Sequence, residues 1–319
     1  MRYLLIVAAA AVLAAVSSAQ TTLQTAAELE AERSRSRAGE GDLNQRMDDM
    51  RRLDSRLRNL SRTGTTIETP QLTKEQRERV LAMRRVDPAS VESYIAFIKS
   101  PNSGVFKIFP DLECVTAKVV KLDGDCREFV PESSHFSFRQ RGYGPALYHD
   151  LGSAGGIFRS RGLLTQGVFA DLGDIPIESL TKASPELAPL AAIVPAANFS
   201  EARSAAASYS QGVTAGDLKL ADTVEPKEGN TYGFRIIAYR IANAFPPPTE
   251  ATGIDELQLM SLEYDKRADL LVVFRVVKQE ANGGLVVVWR ELDRREAPKI
   301  KFGKGETPAD IRPAEPKTR

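Results

Sequence analysis

Three runs in the last third of the chain leave little freedom of architecture. Tyr232, Phe234, Ile236 and Ala238 alternate on one face, with Ile237, Tyr239 and Ile241 on the other. Ala268, Leu270, Val272, Phe274 and Val276 form a second alternation, and Leu285, Val287 and Trp289 a third. A period of two is that of extended strands, and β-branched and aromatic side chains suit a pleated surface. Asn282-Gly283, between the last two runs, is a strong hairpin signal because both residues tolerate positive φ. A two-residue turn there sets Arg275 opposite Arg290, a like-charge pair. A three-residue loop, Asn282 to Gly284, sets Arg275 opposite Glu291 and is the register expected. Both strands are apolar on both faces near the turn, so helices or a second sheet layer are expected to cover them.

Upstream the periodicity is helical. Thr73-Lys74-Glu75-Gln76 is a capping-box pattern opening a helix to about Val86. Asp87-Pro88 restarts another, with Val91, Tyr94, Ile95 and Ile98 as its core-facing stripe and Pro101 as its end. Short strands are expected at Val105–Phe109, Val115–Val120, around Phe136 and Phe138, at Ile157–Phe158 and at Leu163–Phe169, with a turn at Asp123-Gly124-Asp125. Ser184-Pro185-Glu186 starts a short helix, and Ser200–Gln211 is a second that closes at Gly212. The fold class is therefore α+β: a helical N-terminal arm, then one mixed domain over 72–303. Its mainly antiparallel sheet ends in a long-stranded meander (231–241, 267–278 and 285–292), packed under helices at 73–99 and 184–211. Two subdomains meeting near residue 212 are the alternative.

The first residues predict export. Met1-Arg2-Tyr3 carries one positive charge, Leu4–Val16 carries none, and Ser17-Ser18-Ala19 supplies small residues for cleavage before Gln20. The run is too short for a membrane span, which needs roughly 20 apolar residues, and no later stretch reaches that length. Residues 1–19 thus read as a signal peptide and 20–41 as a disordered lead-in. Leu43, Met47, Met50, Leu53, Leu57 and Leu60 form an amphipathic helix over 42–62, a candidate coiled coil and homo-oligomer contact. A linker follows at 63–71. The tail, 304–319, has Pro308, Pro313 and Pro316 among charged residues and is expected to be disordered. Cys114 and Cys126 are the only cysteines, and in an exported chain they predict a structural disulfide.

Chemistry is sparse. The chain has 43 basic and 42 acidic residues, with no basic excess of the kind nucleic-acid binders carry. Of the two histidines, His149 precedes Asp150, a candidate base beside a carboxylate, but no Gly-x-Ser-x-Gly elbow supplies a nucleophile. No zinc spacing, calcium loop or phosphate-binding loop is present, so no cofactor or metal is expected. Gly152–Gly156 reads as a glycine-rich hairpin turn. Arg139, Arg141 and Tyr143 form a basic and aromatic loop, the best candidate for binding an anionic envelope component. Three functions fit: a non-catalytic binding or scaffold module of the cell envelope, a periplasmic or extracellular hydrolase using His149, and a small-ligand carrier with a sheet-lined cavity.

Overall fold

The computed structural model describes residues 73–116, 119–120, 124, 126, 129–130, 133–143, 149–242, 262, 265–303, 306 and 310–312. The chain divides into units at 1–68 and 69–319, and every described residue belongs to the second. The signal peptide, the lead-in, the 42–62 helix and the linker, as well as most of the Asp123–Asp125 turn, lie outside the described residues.

In chain order the helices are α1 (Lys74–Arg84), α2 (Ile95–Ile98), α3 (Ala188–Ala191) and α4 (Phe199–Gln211), with 3-10 turns at Pro88–Tyr94, Ile177–Ser179 and Pro185–Leu187. The strands are β1 (Ser103–Ile108), β2 (Val115–Thr116), β3 (Val119–Val120), β4 (His135–Phe136), β5 (Leu151–Ala154), β6 (Ile157–Ser160), β7 (Thr165–Asp171), β8 (Val213–Ala215), β9 (Leu218–Ala221) and β10 (Thr223–Val224). They continue as β11 (Thr231–Ala238), β12 (Arg240–Ile241), β13 (Ala268–Gln279), β14 (Leu285–Glu296) and β15 (Lys299–Ile300).

The fold is α+β. A seven-stranded sheet runs β1-β14-β13-β11-β7-β9-β8, and a four-stranded sheet runs β10-β6-β5-β4. The pairs within both are antiparallel, and β11, β13 and β14 form the meander. The two-sided apolar patterning has its cause in two different covers. One face of the large sheet, with Phe234, Val272, Phe274, Val287 and Trp289, packs on Phe136, Phe138, Leu151 and Phe158. The opposite face, with Val168, Leu271, Val273, Val286 and Val288, packs on Val91, Phe97, Ile177, Leu187 and Leu190 of the helical segments. A third cluster places α4, through Phe199, Ala202 and Ala206, against Ile237, Tyr239, Ile300 and Ile311.

The local start signals act as their chemistry dictates. The Thr73 hydroxyl accepts from Gln76 N–H at 3.2 Å while the Gln76 side chain accepts from Thr73 N–H at 2.9 Å. Asp87 caps the next segment through Ala89 N–H, and Asn198 caps α4 through Glu201 N–H at 2.9 Å.

Four expectations require correction. The β13–β14 loop is Ala281–Gly283, with Gly283 at φ 79° and its N–H donating to the Glu280 carbonyl. That is a type I turn followed by a left-handed glycine. Together with register shifts at Val276/Lys278 and Leu271/Val272, it sets Arg275 opposite Val288, not Glu291. The segment from Pro88 is 3-10 and kinks at Val91, which rotates the later turn, so that Phe97 is buried and Ile95 is 44 % exposed. Val115–Val120 is not one strand: β2 and β3 pair with each other. In the proline-rich tail, Ile311 is buried, the Asp310 carboxylate accepts from Leu164 N–H at 3.0 Å, and Arg312 donates to the carbonyls of Ser160 and Gly162. Composition alone does not register this docking, which depends on one apolar side chain and two polar neighbours.

Candidate functional site

The sequence-flagged residues gather around the β4–β5 end of the small sheet, and most are turned inward. Arg139 is not a surface cation. Its guanidinium donates through Nε to Asp150 at 2.5 Å and through Nη1 to Asp265, and none of the three side chains is more than 1 % exposed. Asp150 also accepts from Ser137 Oγ at 3.1 Å and from Arg139 N–H at 3.0 Å. Asp265 is shared with Arg267 at 3.0 Å, and Arg267 donates onward to the carbonyls of Leu163 and Leu164. Two cations and two anions thus close a buried network that neutralises itself. Burial opposes the Arg139 charge, yet Asp150 and Asp265 outweigh it and hold that guanidinium above its usual range. Arg267 is the weaker member: burial lowers it to about 10, with Asp265 opposing and Arg139 adding to the fall.

The other two members of the basic and aromatic loop are also engaged. Tyr143 Oη accepts from Lys107 N–H at 3.0 Å and donates to the Lys107 carbonyl at 2.5 Å, while the Arg84 guanidinium lies 4.1 Å over its ring. Because β1 is an edge strand, Tyr143 seals backbone groups that a foreign strand would otherwise find open. Arg141, the half-exposed member, donates to Asn102 Oδ1 at 2.7 Å and lies 3.7 Å from Glu291. The loop is therefore a structural clasp, with only the Arg141 head at the surface.

His149 is buried, and its ring contacts that of His135 at a centroid distance of 3.9 Å. The side-chain oxygens of its neighbour Asp150 point to arginine and serine as described above. Ser153 is buried within β5, paired with Phe158. Gly155 and Gly156, at φ 57° and 73°, make the tight turn between β5 and β6. Cys114 and Cys126 are joined in a disulfide with Cα atoms 5.5 Å apart. Among the described residues, no group of three His, Cys, Asp or Glu side chains is placed to hold a metal ion.

The interior between the two sheets is filled rather than hollow. Phe106 stacks on Phe136 at 3.8 Å, Phe169 on Phe234 at 4.0 Å, and Trp289 lies edge-on to Phe138. A ligand cavity lined by the C-terminal strands, one of the three functions expected, is thus occupied by aromatic rings. Open space lies instead at a corner of the sandwich, where the chain passes from β9 in the large sheet to β10 in the small one. A cleft of about 600 Å³ is lined there by Gly155–Ile157, Phe169 and Asp171 of β7, the α4 end at Ser210–Gly212, Lys219, Ala221 and Thr223–Glu225. Sequence reading missed it, because its walls come from five separate elements and none carries a motif. The one signal was Gly212, whose positive φ of 88° ends α4 and whose α-carbon lies under the Lys219 side chain.

No family model, curated protein or solved structure matches this chain.

Proposed function

We propose that the protein is an exported, non-catalytic binding module whose recognition surface is the corner cleft between β9, β10 and the end of α4. The observation that carries this reading is the contrast in where polar groups point. Asp150, Arg139, Asp265 and Arg267 satisfy one another inside the protein, whereas Lys219, Gln211 and Glu225 line an open depression together with the apolar Ile157, Phe169 and Val224. A few polar groups set among apolar lining is the usual form of a small-molecule site. The disulfide suits an oxidising compartment, and among the described residues no helix is long and apolar enough to cross a membrane. The opening apolar segment is read as the export signal, and the apolar stripe of 42–62 as the candidate tether or self-association element.

The test is retention of a solubilised envelope fraction from the protein's own cells on immobilised wild type, Lys219→Glu and Thr223→Tyr. The proposal expects a component held by wild type and lost from both variants. Equal retention by all three proteins sinks the cleft. Intact Met1 on protein recovered from those cells, with both sulfhydryls reduced, sinks export.

A further inference from the structure

Residues 310–312, Asp-Ile-Arg, lie against the connection between β6 and β7 in the manner of a bound peptide. Asp310 Oδ1 accepts from Leu164 N–H at 3.0 Å. Arg312 donates through Nη1 to the Ser160 carbonyl at 2.5 Å and through Nη2 to the Gly162 carbonyl at 2.8 Å. Between them Ile311 is buried in the cluster of Phe199, Ile237, Tyr239 and Ile300. The three residues are also tied to one another. Asp310 and Arg312 pair at 3.2 Å, and Asp310 accepts from Ile311 N–H at 2.8 Å. An acid, a branched apolar side chain and a base in succession thus meet an N–H, an apolar socket and two carbonyls.

The receiving surface is shaped by the domain itself. Gly162 is at φ 96° and Leu164, a non-glycine residue, at φ 46°. A left-handed leucine persists only where its surroundings fix it. Arg267 Nη2 holds the Leu163 and Leu164 carbonyls from within, at 2.7 and 2.8 Å. The Leu164 carbonyl also accepts from Tyr239 N–H at 3.0 Å. None of these bonds involves 310–312, so the turn that presents Ser160, Gly162 and Leu164 is supported without that segment.

The segment, for its part, is not woven into the sheets. Among the described residues, no backbone–backbone hydrogen bond joins 310–312 to the domain, and its side chains alone reach across. The Asp310 and Arg312 side chains are 29 % and 20 % exposed. One buried anchor between two charged groups that meet solvent is the arrangement of a docked linear peptide.

We propose that the β6–β7 connection is a docking groove for peptides bearing an acidic, branched-apolar, basic triad, and that the protein's own 310–312 closes it as an intrachain competitor. A tethered segment acts at an effective concentration on the order of millimolar. A free peptide of the same sequence is therefore held off until the tether is cut or the segment withdrawn.

The experiment uses the full chain with a protease site inserted between Lys304 and Gly305, cut after folding, and a fluorescent peptide of residues 306–319. Anisotropy is read on cut and uncut protein, with circular dichroism recorded on both. The proposal expects the labelled peptide to exchange with the cut fragment and to saturate one site. Binding should be weaker by about tenfold or more on uncut protein, and by a similar factor for an Ile311→Asp peptide. Equal binding to cut and uncut protein, equal binding of the Ile311→Asp peptide, or no exchange at all overturns it. Loss of circular dichroism on cutting also overturns it, since the segment is then part of the fold and not a ligand. Should the inserted chain fail to fold before cutting, hydrogen exchange of the wild type decides. The Leu164 amide, bonded to the segment, must exchange faster than the Tyr239 amide, bonded within the domain. Equal protection of the two overturns the groove.

Discussion

Arg139 and Arg141 are two residues apart and of the same type, yet their environments assign them opposite roles. Arg139 is enclosed with Asp150 and Asp265, and removing its charge strips Asp150 of its arginine in a dry interior and leaves Asp265 to Arg267 alone. Breaking a buried pair from one side costs about 3–5 kcal/mol, far more than the pair contributes over a hydrophobic substitute. Arg139→Ala is therefore expected to lower the urea unfolding free energy by about that amount. Arg141→Ala should stay within about 0.5 kcal/mol of wild type, as its side chain is 47 % exposed and its contacts are screened by solvent. Equal losses for the two would contradict the buried network. Arg235 and Asp269, paired at 2.6 Å within the large sheet, repeat the motif on a smaller scale. Burial raises the Asp269 carboxyl above its usual range, with Arg235 opposing.

At the scale of elements, the exposed edge of the large sheet and its longest hairpin are the informative places. Tyr143 reaches across to bond both backbone groups of Lys107 on β1, and Ser133 accepts from Phe109 N–H just beyond. Tyr143→Phe keeps the ring and removes both hydroxyl bonds. A stability loss of about 1–2 kcal/mol is expected from those bonds, together with concentration-dependent association in sedimentation velocity as the edge opens. A variant as stable and as monodisperse as wild type would remove the guarding role. In the β13–β14 hairpin, Gly283 sits at φ 79°. Gly283→Ala places a β-carbon in the left-handed region and is expected to cost about 1 kcal/mol in chemical denaturation. At Gly284, outside that region, the same substitution instead meets the buried Phe109 ring, 2.9 Å from where the β-carbon would sit.

Among the described residues, the four-stranded sheet and a helical layer pack on opposite faces of the seven-stranded sheet, so stability depends on distant parts of the chain staying together. The Cys114–Cys126 bridge fastens a stretch whose own strands, β2 and β3, have two residues each. Reducing it is expected to lower stability by about 3 kcal/mol, the loop-closure value for a ring of this size, read as a fall in the denaturant midpoint with dithiothreitol. The meander over 231–292, the capped starts at Thr73 and Asp87, the closing glycine at 212 and the cysteine pairing were all legible in the sequence. Each is set by contacts between near neighbours or by a period along one strand or helix, which a linear pattern records directly. Other features were not legible: the shift in hairpin register, the burial of Arg139, the seating of Ile311, the cleft at the β9–β10 corner and the contact between His135 and His149. These depend on which side chains the fold brings together from far along the chain. Asp265 lies 126 residues beyond Arg139 and Leu164 lies 146 before Asp310. The local sequence determined which segments are strands and helices and which faces are apolar, because backbone period and turn chemistry are short-range. Only the tertiary structure decided which charges are cancelled and which surfaces stay open, because that outcome depends on what lies opposite each residue.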